Sequence, residues 1–232
     1  LSLRRQRQMC IRDSLGGHRR HDRLEPHEGL VVDLARLREA LHARHHRGKR
    51  AKPKRRFPPE VLTPAEVAAL MTACGESVTG MRNRALIAVL HRSGLRVSEA
   101  LALYEKDIDF DRCAIRVLFG KGGRSRTVGI DPGALVHLRA WLEARGKMGL
   151  DRTWPVFCVV QGPAWGEALE PGFVRLAFKR LAAKAGLAKR VHPHGMRHTH
   201  ASELRQEGFD IGIISKQLGH RDISTTARYL DL

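Results

Sequence analysis

HGMRHTHASELRQEGFDIGIISKQLGHRDISTTARYL, residues 194–230, reads as three short helices in quick succession. Helical segments near 194–206, 211–218 and 224–230 are parted by Gly208 and by Gly219-His220, and glycine lets a chain leave a helix in the left-handed conformation. His194 and Arg197 stand three residues apart, so a helix places them on one face where both address one pocket. A tyrosine, Tyr229, follows nine residues after His220 on the last of these helices.

Working toward the N-terminus, a helix over 173–185 is closed by Gly186, and Asp131-Pro132 caps another that runs to about residue 145. Before it the period changes. Residues 114–119 and 126–130 are short β-prone runs, and Gly120-Lys121-Gly122-Gly123 between them supplies the backbone freedom of a hairpin, with Lys121 at or near the turn. Thr63-Pro64-Ala65-Glu66 is a helix entry, with threonine as N-cap, proline in the first turn and glutamate closing the capping box. Ala85, Leu86, Val89 and Leu90 mark a second helix that ends near Ser93-Gly94, and 97–103 reads as a short third. Leu86, Val89, Leu90, Leu101 and Leu103 belong to the core. The expectation is a mainly α domain with a small antiparallel β-sheet, an α+β fold, spanning 57–232.

The segment ahead of it is different in kind. Residues 1–56 hold 17 Lys/Arg against 6 Asp/Glu, a net +11, and leave +7 of the total +18 for the remainder. Leu1 to Ser14 shows no apolar periodicity and reads as linker outside the fold, while Leu30, Leu34, Leu37 and Leu41 suggest one amphipathic helix over 30–46. Arg44, Arg47, Lys49, Arg50, Lys52, Lys54, Arg55 and Arg56 then form a block without an acidic residue, expected to lie extended along phosphates. So large a positive excess points to a polyanionic partner. No apolar run is long enough to span a bilayer and no basic helix has a bulky aromatic face, which favours nucleic acid over a membrane. Cys10, Cys74, Cys113 and Cys158 are scattered without a Cys-x-x-Cys pair, so neither a zinc knuckle nor a disulfide scaffold is indicated. With no secretory signal, a cytoplasmic, nucleoid-associated protein is expected.

Four ordered elements resemble the tyrosine recombinase (phage integrase) family over about residues 57–232. Ser93-Gly94-Leu95-Arg96-Val97-Ser98-Glu99-Ala100 resembles its first arginine motif, and Gly120-Lys121-Gly122 before a strand resembles its hairpin lysine. His194-Gly195-Met196-Arg197-His198 resembles its His-x-x-Arg element, while Leu218-Gly219-His220 and Ala227-Arg228-Tyr229 resemble its closing histidine and nucleophile boxes. Any one of these motifs is weak; the ordered set is specific. The resemblance implies Arg96, Lys121, His194, Arg197, His220 and Tyr229 as catalytic, Glu99 as a supporting carboxylate, and site-specific cutting and rejoining of DNA through a 3′-phosphotyrosyl intermediate. Family members usually carry a helical domain that completes a clamp on DNA and a segment after the tyrosine that docks on a neighbour. With one helix and a basic linker ahead of Phe57 and three residues after Tyr229, a truncated clamp is expected here.

The chemistry also follows from the residue types. Breaking a phosphodiester with an internal nucleophile requires neutralised non-bridging oxygens, and two guanidiniums, Arg96 and Arg197, do this with bidentate hydrogen bonds. Tyrosine, with a reference pKa near 10, is ionised to about one part in a thousand at pH 7, so a base must take or share its proton. His194 is a candidate for that; His220 either hydrogen-bonds the phosphate or orients the tyrosine. Lys121 is cationic and can protonate the leaving 5′ oxygen. No P-loop and no His-Glu-x-x-His zinc motif is present, and neither cofactor nor metal is expected. The expected partner is double-stranded DNA, bound as a homo-oligomer, with no membrane. Two rivals stand beside this reading: type IB topoisomerase-like relaxation, and a non-catalytic DNA-binding relic.

Overall fold

The computed structural model describes residues 60–118, 125–220 and 222–230, the last three of these by their backbone alone. All belong to one unit, Phe57–Leu232. Lys121, the basic block from Arg44 to Arg56 and the helix expected over 30–46 lie outside the described residues.

Eight helices and three strands are described. Helix α1 is Pro64–Thr72, α2 Val78–Ser93 and α3 Val97–Leu101, followed by a 3-10 turn at Glu105–Asp107. Strands β1 (Ile108–Asp109), β2 (Ala114–Val117) and β3 (Arg126–Gly129) come next, then α4 (Pro132–Lys147), α5 (Pro171–Lys184), α6 (Pro193–Gln206), α7 (Ile211–Leu218) and α8 (Ile223–Leu230). The domain is mainly helical with a small antiparallel sheet, as the residue patterns led one to expect.

Local chemistry accounts for most boundaries. Thr63 Oγ1 accepts from the Glu66 N–H at 3.2 Å while Glu66 Oε2 accepts from the Thr63 N–H at 2.7 Å, a reciprocal box that satisfies two donors at the start of α1. Asp131 and Asp210 cap α4 and α7 in the same spirit. Helix α2 ends at Gly94 and α7 at Gly219, both in the left-handed conformation. At Gly94 an added Cβ meets His200 Cδ2 and Leu218 Cδ2, each at 2.7 Å, so glycine is required by space as well as by φ.

Helix α2 is buried around most of its circumference, through Ala85, Leu86, Ile87, Ala88, Val89 and Leu90, which marks it as the central helix of the core. It packs chiefly against α4 and α6. Gly80 permits its close entry: a Cβ there lies 2.4 Å from the Cys74 carbonyl oxygen. Trp141 of α4 is fully buried and donates its Nε1–H to the Val156 carbonyl at 2.8 Å, so its polar edge is satisfied inside the core.

The sheet order is β1-β2-β3, with Ile115 opposite Val128 and Arg116 opposite Thr127. Ile115, Val117 and Val128 face inward while Arg116 and Thr127 face out, the alternation of a sheet with one covered face. Gln217 of α7 pins the sheet to the helices: its Oε1 accepts from the Gly129 N–H at 3.1 Å, and its Nε2 donates to the carbonyls of Gly129 (2.7 Å) and Ser93 (3.2 Å).

Two elements differ from the sequence reading. The helix expected to reach 103 stops at Leu101, because Leu103 turns its carbonyl to the Val156 N–H at 2.8 Å instead of continuing the helix. Strand β1 was not expected: two residues are too few for an alternating pattern to show, and Ile108 becomes a strand only by pairing with Ile115.

Candidate active site

The turn out of α2 places Arg96 at the N-cap of α3. One helical turn on, Glu99 folds back to accept from the Arg96 backbone N–H at 2.9 Å and from Arg96 Nη1 at 2.8 Å. Strand β3 brings a second guanidinium to the same carboxylate, with Arg126 Nη1 and Nη2 on Glu99 Oε1 and Oε2 at 2.9 and 2.8 Å. Glu99 is 2% exposed in its side chain. Burial alone raises its carboxyl, but the hydrogen bonds from Arg126 and Arg96 outweigh this and bring it down to about 2, so it is an anion at any physiological pH. Its role is to hold two arginines in fixed directions.

Arg197 enters from α6 and is buried. Its Nη1 donates to the Gly94 carbonyl at 2.5 Å and its Nη2 to the Leu218 carbonyl. These are carbonyls at the C-terminal ends of α2 and α7, groups that lack helical partners and carry partial negative charge, so a buried cation there is well matched. Arg96 Nη2 reaches the next carbonyl along, that of Gly219, at 3.4 Å. Two guanidiniums from distant parts of the chain thus converge on adjacent carbonyls immediately before His220. Arg96, Arg126 and Arg197 against Glu99 leave an excess of two positive charges within this group, suited to an incoming phosphate.

Two histidines, His194 and His220, border the cations, and His192 stands next to the first. His192 caps α6, its Nδ1 accepting from the Gly195 N–H at 3.0 Å. His194 opens to solvent and its ring meets that of His198 edge-on at 4.8 Å. The surrounding protein, then Arg197, His192 and Arg96, lower the His194 pKa. His220 Nδ1 lies 2.7 Å from Thr226 Oγ1, and burial followed by Arg197 and Arg96 pushes its pKa down to about 4. At pH 7 both imidazoles are therefore neutral and able to accept or share a proton. His200, beside Gly94, is pushed to about 4 chiefly by burial.

The structure brings Arg96, Glu99, Arg197, His194 and His220 together. Tyr229 lies on α8 by its backbone, three residues after Thr226, and α8 packs on α6 and α7. Lys121 lies outside the described residues, between β2 and β3. Two residues escaped the sequence reading. Arg126 stands two before buried Val128 on β3, so alternation alone puts a cation on the covered face, where it requires a partner. Thr226 is fully buried and stands at the same three-residue spacing from Tyr229 that relates His194 to Arg197.

Residues 60–232 match the model of the phage integrase family. A tyrosine recombinase XerC of Xanthomonas campestris pv. campestris is 37% identical over 174 residues, covering 75% of this chain and 52% of the relative. XerC of Xylella fastidiosa is 34% identical over 185 residues, covering 80% and 60%. Among solved structures, the crystal structure of XerA recombinase superimposes with a TM-score of 0.67 at 29% identity over 76% of this chain and 62% of that one. XerH site-specific recombinase bound to palindromic difH substrate, in a post-cleavage complex, gives 0.62 at 26% over 75% and 50%. The chain spans about half to three fifths of the length of these curated relatives.

Proposed function

The chain belongs to the phage integrase family, and on that premise we propose that it is a site-specific DNA recombinase that cuts and rejoins strands through Tyr229. The observation that carries the proposal is the convergence of Arg96 and Arg197 on the Gly219 and Leu218 carbonyls beside His220. Two guanidiniums beside a neutral imidazole supply the charge and the proton acceptor that breaking a phosphodiester requires.

In the proposed reaction Tyr229 Oη attacks the phosphorus, the P–O5′ bond breaks and a 3′-phosphotyrosyl bond forms. Arg96 and Arg197 neutralise the non-bridging oxygens as charge builds up, with Glu99 and Arg126 holding Arg96 in direction. His194 takes the tyrosine proton, His220 hydrogen-bonds the phosphate, and Lys121 gives a proton to the departing 5′ oxygen. Attack by a 5′ hydroxyl of another strand reverses each step and reseals the DNA without an outside energy source.

Residues 57–232 act as the catalytic domain in this reading. Residues 1–56 are a basic extension whose cations from Arg44 to Arg56 lie along DNA phosphates, and copies of the protein assemble on the duplex. The setting is the cytoplasm, at the nucleoid; among the described residues no helix is long and apolar enough to cross a membrane. The test is a denaturing gel of the protein incubated with nicked DNA libraries, followed by sequencing of trapped adducts. A covalent adduct on wild type that disappears in Tyr229→Phe, while DNA binding persists, is the expected result. An adduct mapped to Tyr104, or none on wild type, overturns it.

A further inference from the structure

His220 is held from two sides. Its backbone N–H donates to the Ser215 carbonyl at 3.0 Å, which fixes the turn after α7, and its ring Nδ1 lies 2.7 Å from Thr226 Oγ1 on α8. Thr226 has no solvent exposure, so its hydroxyl is of use to the fold only if a partner meets it, and the imidazole does. A valine at this position fills the same space without a polar atom. The hydrogen bond therefore has a purpose other than filling the core.

We infer that Thr226 is a positioning residue for strand cleavage: its hydroxyl sets the direction of the His220 ring and ties that ring to the helix carrying Tyr229. The inference rests on the recombinase reading above. An imidazole has two nitrogens on opposite sides of its ring, and engaging Nδ1 fixes the ring's rotation and turns Nε2 the other way, whether the hydroxyl donates to a bare Nδ1 or accepts from Nδ1–H. The cations that act on this ring are Arg197, Arg96 and Arg126, with the His194 imidazole near them, so it stands at the edge of the arginine group. Thr226 and Tyr229 are three residues apart on α8 and share a helix face. A rotation or slide of α8 that moves the tyrosine thus also moves the hydroxyl that orients the histidine. One hydrogen bond makes the placement of the nucleophile helix and the aim of the phosphate-binding imidazole a single event, and α8 must be seated for His220 to be aimed.

The decisive comparison is wild type, Thr226→Val and Thr226→Ser, each measured in two ways. In the free protein, the nitrogen-15 shifts of the His220 ring report the hydrogen bonding of each nitrogen: the Nδ1 signal should be alike in wild type and Thr226→Ser and displaced in Thr226→Val. In single-turnover cleavage of nicked DNA, Thr226→Val should form adduct about 10- to 100-fold more slowly, by analogy with the groups that orient metal-ligating imidazoles. The DNA concentration giving half-maximal rate should change little, and Thr226→Ser should recover most of the rate. Thermal melting of each variant separates loss of the fold from loss of orientation. Cleavage by Thr226→Val at the wild-type rate overturns the inference, as does a slow Thr226→Ser that keeps the wild-type ring shifts and fold. If wild type forms no adduct at all, the recombinase reading falls, while the ring shifts still decide whether Thr226 orients His220.

Discussion

Arg126 and Glu99 form a bidentate pair, with both carboxylate oxygens taken by one guanidinium at 2.9 and 2.8 Å, across a separation of 27 residues. The pair joins β3 to the helix capped at Arg96. Glu99 is shared, since Arg96 holds the same Oε1. The carboxylate thus links β3 to the first arginine, and weakening it should disturb both.

Glu99 should make stability depend on pH in a defined window. Its folded pKa of about 2 lies below the ordinary 4.5, so the folded state favours the anion. The contribution is fully present above pH 4.5 and is lost as pH falls through 2. It is at most on the order of 3 kcal/mol, from about 1.36 kcal/mol per pH unit. Chemical denaturation of wild type and Glu99→Gln from pH 2 to 6 should show the two curves converging at the acid end. Parallel curves throughout would show that Glu99 is not held as an anion by the arginines.

Gly94→Ala should destabilise the domain and displace Arg197. The new methyl meets His200 and Leu218 side chains at 2.7 Å, and the residue has φ +65, which costs a non-glycine about 1–2 kcal/mol before any clash. Because the Gly94 carbonyl accepts from Arg197, adduct formation should fall further than melting temperature alone explains. Unchanged stability in a denaturant titration would contradict the packing described for this turn.

Lys121→Ala should slow cleavage of ordinary DNA, because an alkoxide leaves poorly without a proton. With sulfur bridging at the 5′ position the leaving group is a thiolate, of pKa about 8.5 against roughly 15.7 for water as a stand-in for an alcohol, and it barely needs the acid. Sulfur should therefore rescue Lys121→Ala and leave Arg96→Ala impaired, since the arginine deficit is one of charge stabilisation. Equal rescue of both in single-turnover cleavage, or of neither, would make Lys121 an ordinary phosphate contact.

Affinity for duplex DNA should fall steeply with salt. Replacing Arg44, Arg47, Lys49, Arg50, Lys52, Lys54, Arg55 and Arg56 by glutamine should flatten the slope of log affinity against log salt by several units, up to about seven if every cation meets a phosphate. A slope unchanged by the replacement removes the basic block from the DNA interface.

Much of the architecture was legible without coordinates because it is written in local signals. The Thr63 capping box, the glycine at the end of α2 and the β-prone runs over 114–119 and 126–130 each depend on residues within a few positions of one another. The same locality explains the failures. Leu103 reads as helical because nothing near it announces that Val156 claims its carbonyl, and Ile108 gives no strand signal until Ile115 lies beside it. Alternation along β3 does put Arg126 on the covered face, but its partner belongs to another element.

By itself the sequence determined which segments are helical, where they are capped, and that two arginines, two histidines, a lysine and a tyrosine occur in a family's order. Tertiary structure alone decided what holds them: Arg197 on the Gly94 carbonyl 103 residues away, Arg96 on Gly219 at 123, and His220 on the buried Thr226 hydroxyl. Helix periodicity and capping act over three or four residues and are set by backbone geometry, so the order of residue types encodes them directly. A buried guanidinium or hydroxyl must instead find whichever carbonyl or ring the packing of other elements delivers. Its partner is therefore chosen by the closing of the whole core around α2 and not by any neighbour in the chain.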